Sequence, residues 1–406
     1  MSKLTLDDLE FLIRDLRRKW GGSLFKLLIA LLFCIVGAWF YTTGIGQKLD
    51  LTLQQPFYTF RGVRSPPPEV ILVAIDDTTY STLQAPTSFP LPRKYTAEAL
   101  EQIIKAAPKL VIFDGRFEPL PGVAPEADDR IEAALQALPA TIWSGKEAED
   151  PNDPATKVVF ASDNRFRNAA KAELPMSVAG MYGELCFVAW GTPEQTPEER
   201  APIANALVDI GHTPIKGIPG ELDFINFYGP HLTIPRMSLS ELITGNVDAA
   251  INKLRGKIVL IGYQSRNFGK GPGNSDRFPV PVSTFPMYGV EVHATIVNNL
   301  IDGSWLKRAS PEVEILSVAL FIFIMVSYAL RFPNWKSLTI IIAASFIVLL
   351  TTYILFAKYN IWLGGVGATL LATILTVVIS GFYFIIARDR FERIAERKLG
   401  FRVGDE

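Results

Sequence analysis

The sequence predicts an α/β domain with a mostly parallel sheet, set between one apolar span and three more. Three observations predict it. Long apolar runs stand at both ends of the 406 residues. Between them, short β-branched runs alternate with amphipathic stretches, the pattern of stacked βαβ units. Basic residues gather beside the apolar runs in a way that gives the chain a direction across a bilayer. The expected organisation is an N-terminal tail over 1–23 and a helix over 24–44. An external domain over 45–309 follows, then helices over 310–330, 337–356 and 361–387, and a tail over 388–406.

The first span rests on "LLIALLFCIVGAWFYTT", Leu27–Thr43. Its leading segment is long and partly acidic and no small-residue cleavage site follows, so the run reads as an uncleaved anchor. Ser310, Pro311, Glu312 and Glu314 form a helix start for the second span, as N-cap, first helical residue and acids at the positive end of the dipole. The third and fourth runs each reach the roughly 20 apolar residues that a core of about 30 Å requires. "RDLRRKW", "RFPNWK" and "RDRFERIAERK" are basic, whereas the opposite loop "AKYN" holds only Lys358. Both termini are therefore expected in the cytoplasm of a bacterial cell, with the chain in the inner membrane and its large domain in the periplasm. The closing spans hold no acid or base at their centres, which argues against a transporter, channel or proton relay.

The external domain opens with "VILVAIDDTT", a buried strand that delivers Asp76 and Asp77 to a sheet edge. "RKYTAEALEQIIKAA" follows as an amphipathic helix, with Ala97, Leu100, Ile103, Ile104 and Ala107 at helical spacing. "KLVIFD" is a strand ending at Asp114, "EADDRIEAALQAL" a helix and "ATIWSG" a strand. A polar, Pro-rich stretch from Glu147 to Pro175 interrupts the alternation. "ELCFVAWG" and "FINFYG" read as strands, "MSLSELITG" as a short helix, "GKIVLIG" as a buried strand and "VEVHATIVNNLIDG" as a closing helix. The prolines of "PFYTFRGVRSPPPEV" set an extended approach to the first strand.

Several classes are excluded. Net charge is −1 with no basic, aromatic-interleaved stripe, so nucleic acid is not a partner. Cys34 lies in an apolar run and Cys186 in an apparent strand, so no disulfide is expected. The histidines His212, His231 and His293 have no metal spacing. His293 reads first as a packed helix residue, with a ligand or pH-sensing role as the alternative. Asp76 and Asp77 are adjacent, not separated by one residue as a haloacid-dehalogenase-like phosphatase requires. "YQSRNFGKGPGNSDRF" matches neither phosphate-loop pattern.

Ligands in open α/β sheets bind beyond the carboxyl ends of the strands. Asp76, Asp77, Asp114 and Arg116 belong there, with Arg93 near by and Asp276 on the loop after "GKIVLIG". Three readings stay open for the acids. One carboxylate caps a loop or helix and pairs with Arg93 or Arg116. They line a ligand pocket. Or Asp76 or Asp77 joins Asp114 around a divalent cation.

Taken in order, these segments resemble the type-two CHASE domain, a sensing extracellular module of bacterial receptors. "VAIDD" resembles its first strand, and "FPLPRKYTAEALEQI" its Trp/Pro–Pro–Arg lead into a helix, with Phe89 where Trp is common. "VIFDGRFEP", "INFYGP" with "PRMSLSELITG", "LRGKIVLIG", "DRFPVPVS" and "YGVEVHATIVNNLIDGSWLKR" resemble the remainder. The resemblance spans about residues 24–390 and implies a sensory, non-catalytic chain. Its ligand-binding candidates are Asp76, Asp77, Asp114, Arg116, Arg93, Tyr228 and Asp276, with no catalytic or metal residue and no identifiable cofactor. Relatives carry cyclase or kinase outputs in the cytoplasm. Here only "RDRFERIAERKLGFRVGDE" follows the last span, so the output is expected on a separate protein or on a longer product. A scaffold subunit or an anchored hydrolase are the alternatives. The expected partners are the lipid bilayer, an unknown external ligand, and a second copy or a membrane or cytoplasmic signalling protein. Contacts are expected through Leu9, Phe11, Leu12 and Leu16 and through Phe391, Ile394 and Leu399.

Overall fold

The computed structural model describes residues 22–86, 90–118, 125–143, 146–150, 153–160, 162–174, 204, 207–211, 213–217, 223–265, 276–332, 335–378 and 380–381. The chain divides into two compact units, Gln55–Arg308 and the combination of Met1–Gln54 with Ala309–Glu406. The elements in chain order begin with helices α1 (Gly22–Thr42), α2 (Gly44–Thr52) and α3 (Gln54–Arg61). There follow β1 (Val70–Asp76), α4 (Asp77–Thr82), α5 (Arg93–Ala106), β2 (Leu110–Asp114), α6 (Pro125–Ala137) and β3 (Ala140–Trp143). Next come β4 (Lys146–Asp150), β5 (Asp153–Phe160), α7 (Asn164–Ala169), β6 (Ala172–Leu174) and β7 (Arg236–Ser238). The series continues with α8 (Val247–Leu254), β8 (Ile258–Gln264), β9 (Arg277–Val280), β10 (Ser283–Tyr288) and α9 (Gly289–Asp302). Helices α10 (Pro311–Arg331), α11 (Trp335–Tyr359) and α12 (Val366–Val378) complete it.

In the Gln55–Arg308 unit, six strands form one sheet in the order β6–β3–β2–β8–β1–β7. Every neighbouring pair is parallel. The late strand β8 is inserted between β1 and β2, with Ala74 and Asp114 both level with Gly262. Alternation along each strand makes two faces. Val73, Ile75, Val111, Phe113, Ala140, Ile142, Val259 and Ile261 pack with Leu100 and Ile103 of α5, Ile131 and Leu135 of α6, and Ile251 and Leu254 of α8. Full burial of each large aliphatic side chain contributes about 1.5–3 kcal/mol. Helix α9 lies on β1 and β8, on the face reached by Leu72, Ala74, Ile112 and Leu260. Its expected apolar face, Val292, Ile296 and Leu300, is buried, but so are Glu291, His293, Asn298 and Asn299.

Three local expectations need correction. "MSLSELITG" starts as the edge strand β7 and turns into a 3₁₀ helix at Leu239–Leu242, because Ser238 and Glu241 form a capping box there. "FINFYG" makes only an isolated bridge, Phe224 to Leu306. The Pro-rich approach contains α3, which accepts Pro56 because a first-turn residue has no intrahelical N–H bond to lose. Asp276 lies outside the strands, as expected, and immediately precedes the antiparallel hairpin β9–β10. The polar stretch after Glu147 also supplies β6, and the hairpin β4–β5 spans its beginning. Cys186, Phe89 and His212, the strand expected at "ELCFVAWG", and both terminal tails lie outside the described residues.

In the other unit, α10 and α11 are each long and apolar enough to cross a bilayer. Lys26–Thr42 and Gly44–Arg61 meet that test only together, across a 75° bend. The break falls where Thr43 caps α2, its hydroxyl accepting from Gly46 N at 3.2 Å. A Cβ on Gly46 would stand 2.2 Å from the Phe40 carbonyl oxygen, so this tight turn requires glycine. The fourth expected span is a shorter apolar helix, α12, among the described residues. Ser310 occupies the N-cap of α10 with no side-chain cap bond, and Pro311 follows in the first turn. Buried Glu314 accepts from the Tyr41 hydroxyl and, at 2.9 Å, from Gly364 N, while buried Asp50 accepts from Gly367 N at 3.2 Å. The outward surface carries Leu32, Ile35, Trp39, Leu316, Leu320, Phe346 and Ile347.

Candidate functional site

The carboxyl edge of the sheet separates Asp76 from Asp77. The Asp76 carboxylate caps α4, accepting from Thr79 N and from the Ser238 hydroxyl, each at 2.8 Å. It joins the ends of β1 and β7 through a network that includes Thr79 and Ser240. The capping half of one sequence reading is therefore realised, and no arginine pairs with Asp76 among the described residues. Exposed Asp77 accepts from the Ser265 hydroxyl at 2.5 Å. Among the described residues, no three acids, histidines or cysteines converge as a cation site requires.

Asp114 is placed elsewhere. It ends β2 on the face covered by α9, and its Oδ2 stands 3.1 Å from His293 Nδ1. The distance is that of an ion pair, but the Nδ1 N–H is not aligned for a hydrogen bond. Gly262 makes this approach possible. A Cβ there would lie 2.7 Å from the Val290 side chain and 3.2 Å from the Asp114 Cβ. The His293 ring also meets Trp143 edge to face, at 5.6 Å between centroids. Asp276 completes the group. Its carboxylate lies against Gly289, where a Cβ would stand 2.4 Å from Oδ1.

Electrostatics follow from this enclosure. Burial, reinforced by the charge of Asp114 and opposed by His293, pushes the Asp276 carboxyl up to about 7. Burial pulls the His293 imidazole down, but Asp114 and Asp276 outweigh it and its pKa is raised. Two residues earlier on α9, burial raises Glu291 to about 7 against the backbone N–H groups of 232–234 and the charge of Arg236. Its Oε1 accepts from Thr233 N at 3.1 Å.

The other candidates do not join this cluster. Buried Arg93 pairs with Asp128 at 2.6 Å, donates to the Glu118 carbonyl and covers the Phe166 ring at 5.1 Å. It fastens the start of α5 to α6. Arg116 pairs with Glu118 at the surface. Tyr228 donates to Asp302 at 2.6 Å and accepts from Asn299 at 3.3 Å, under the Arg64 guanidinium. Arg61 and Arg64 hold the adjacent Asn226–Phe227 backbone. Arg93 and Tyr228 are thus enclosed in contacts that stitch elements together. Of the seven sequence candidates, only Asp114 and Asp276 share one cluster, and His293 is the residue that joins them.

Sequence reasoning also missed a cleft. It has a volume of about 520 Å³ and is lined by His231, Arg277, Phe285, Pro286 and Tyr288. The hairpin β9–β10 supplies four of these residues. Arg277 donates to the Tyr288 hydroxyl at 3.1 Å and lies over that ring at 4.8 Å. His231 stacks obliquely on Phe285 at 5.7 Å. The signal was present in "DRFPVPVSTFPMYG", where a cation and aromatics alternate, but without the hairpin those residues have no common face.

Comparison with curated proteins gives no match, and comparison with solved structures gives none. Comparison with protein families matches residues 29–329 to the CHASE2 domain, a sensory extracellular module, over more than half of the chain. With β1, β2, β8 and α9 all inside the matched region, the chain belongs to the CHASE2 family.

Proposed function

We propose that this chain is a membrane-anchored sensor whose Gln55–Arg308 unit faces the periplasm and which passes its signal across the membrane. The observation that carries this reading is the cleft beside α9. It is concave and of ligand size, and its described lining residues, His231, Arg277, Phe285, Pro286 and Tyr288, set one fixed cation beside aromatic and apolar surface. That is a binding site's inventory. Family membership supports the same reading, since a CHASE2 domain is a sensory and not a catalytic module. The orientation follows from basic residues beside the apolar helices, with Arg331 and Lys336 between α10 and α11. The bilayer and either a second copy or a signalling protein are the partners of this reading.

The placement is tested with single cysteines in a Cys34→Ser, Cys186→Ser chain and a membrane-impermeant maleimide added to spheroplasts. Exposed Lys105→Cys on α5 should label without permeabilisation, and Lys336→Cys only after it. The reverse pattern would put the sheet domain in the cytoplasm and end the sensor reading.

A further inference from the structure

We infer that the cleft between His231 and the β9–β10 hairpin binds a small carboxylate carrying an aromatic or otherwise apolar body. The inference rests on the sensor reading only for the purpose of that ligand, because the cleft and its chemistry stand independently of which way the unit faces.

Three observations carry it. Arg277 lines the cleft with no carboxylate partner among the described residues. Its one side-chain hydrogen bond, NH2 to the Tyr288 hydroxyl, and its stacking on the Tyr288 ring fix the guanidinium and leave donors unused. An arginine held in place by a ring and a hydroxyl is preorganised for a planar, two-oxygen acceptor. Secondly, His231 Nδ1 is buried and makes no hydrogen bond. An unmet buried polar atom in the wall of a cleft is costly unless a ligand or water meets it. Thirdly, the remaining wall is apolar. Phe285 is 66% exposed although it belongs to a strand, and Pro286 follows it. Exposed aromatic surface beside a fixed cation asks for a ligand with both characters.

The charge balance selects the anion class. Among the described lining residues Arg277 alone carries a permanent charge, and it matches one carboxylate. A phosphate dianion would leave a charge uncompensated and needs more donors than one fork and one ring nitrogen provide. The volume of about 520 Å³ falls within the range of small-molecule sites, so an acid with a one- or two-ring body fits. Tyr288 is also the N-cap residue of α9, with no side-chain cap bond. That helix end already faces the Asp276 carboxylate at Gly289, so the charge argument rests on Arg277 alone.

The test uses the full chain in mild detergent and indole-3-acetate as probe, with binding followed by titration calorimetry. Indole-3-acetamide keeps the shape without the charge, acetate keeps the charge without the body, and inorganic phosphate supplies the other anion. Saturable binding of indole-3-acetate is expected, with the amide and acetate each weaker. Arg277→Gln should weaken it by roughly ten- to a hundredfold, the range of a charge-assisted hydrogen bond. Phe285→Ala should weaken it severalfold, and its exposed side chain keeps the fold out of the result. Equal binding of acid and amide, unchanged binding by both variants, tighter binding of phosphate, or no saturable binding would each overturn the assignment. None of these outcomes bears on the cysteine-labelling pattern, so failure here is distinct from failure of the sensor reading.

Discussion

Asp276 and His293 carry their protons differently in the folded chain than in an unfolded one, and the same holds for Glu291. All three are raised, Asp276 and Glu291 to about 7. A raised group binds more protons folded than unfolded, so its contribution is full below its unfolded value and is lost as pH climbs through the folded value. For the two acids the loss runs from their ordinary carboxylate range up to about 7. For His293 it begins at the ordinary imidazole value of 6.5 and continues above it. The groups facing the cluster are Asp114 from β2, Asp276 ahead of β9 and His293 from α9 itself, with Trp143 as its aromatic wall. The expected outcome is a chain that melts at higher temperature at pH 5.5 than at pH 8, with the difference reduced in Asp276→Asn. A melting temperature that rises with pH over this window would reverse the sign and remove the cluster as its source. Of this group the sequence disclosed Asp114 and Asp276 as sheet-edge acids. For His293 the sequence put a packed helix residue ahead of a ligand or pH-sensing role and named no partner, because Asp114 stands 179 positions away in numbering (293 − 114) and no local spacing encodes that contact. Asp76 was legible in one of its open readings, since an acid followed three residues later by Thr79 is a capping pattern.

Each strand that the sequence disclosed lies in the middle of the sheet, where burial on both faces leaves a continuous apolar run: β1, β2, β3 and β8. The edge strands β6 and β7 were missed. They have three residues each, and their "AEL" and "RMS" carry no such run. Their pairing is decided by the parallel ladder of the neighbour and not by their own composition. Helix α9 was placed correctly, but its enclosure was not, since enclosure depends on how closely β8 lets it approach. Gly262 sets that distance. Gly262→Ala would drive a methyl to within 2.7 Å of both the Cβ and the Cγ2 of Val290, and since no rotamer change moves the Cβ, α9 must lift. Overpacking of this kind costs about 1–3 kcal/mol. The variant should lower the melting temperature, and the double variant Gly262→Ala, Val290→Ala should recover part of the loss. Absence of recovery would show that the contact with Val290 is not what the glycine serves. In the apolar unit the small residues around Gly364 allow close helix approach, and that approach is taken up within the unit. A Cβ at Gly364 would meet Tyr41 and Glu314, one at Gly365 would meet Val318, and one at Gly367 would meet Leu49.

The number of crossings decides which side of the membrane receives the C-terminus. Helices α10 and α11 satisfy the length of a span, and α1 does so with the bent segment after it. Helix α12 covers Val366–Val378 among the described residues, a length of about 20 Å at 1.5 Å per residue, against a hydrocarbon core of about 30 Å. A fourth crossing is the expectation from two features of the sequence. The residues that follow, "FYFIIA" over 382–387, continue the apolar run without a charge. Arg388, Arg390 and Arg393 come immediately after, the composition of a cytoplasmic flank. Four crossings return the C-terminus to the side of the N-terminus, while three would leave it with the sheet domain. Tyr359→Cys, at the exposed end of α11, and Gly404→Cys separate the two outcomes in the same cysteine-free background. With four crossings, an impermeant maleimide added to spheroplasts labels Tyr359→Cys and leaves Gly404→Cys untouched until the membrane is opened. Labelling of both from outside would mean that α12 ends within the bilayer interface. The C-terminal aromatic and aliphatic positions Phe391, Ile394 and Leu399 would then face the periplasm, and an output in trans would have to contact the N-terminal tail or the "RFPNWK" loop instead.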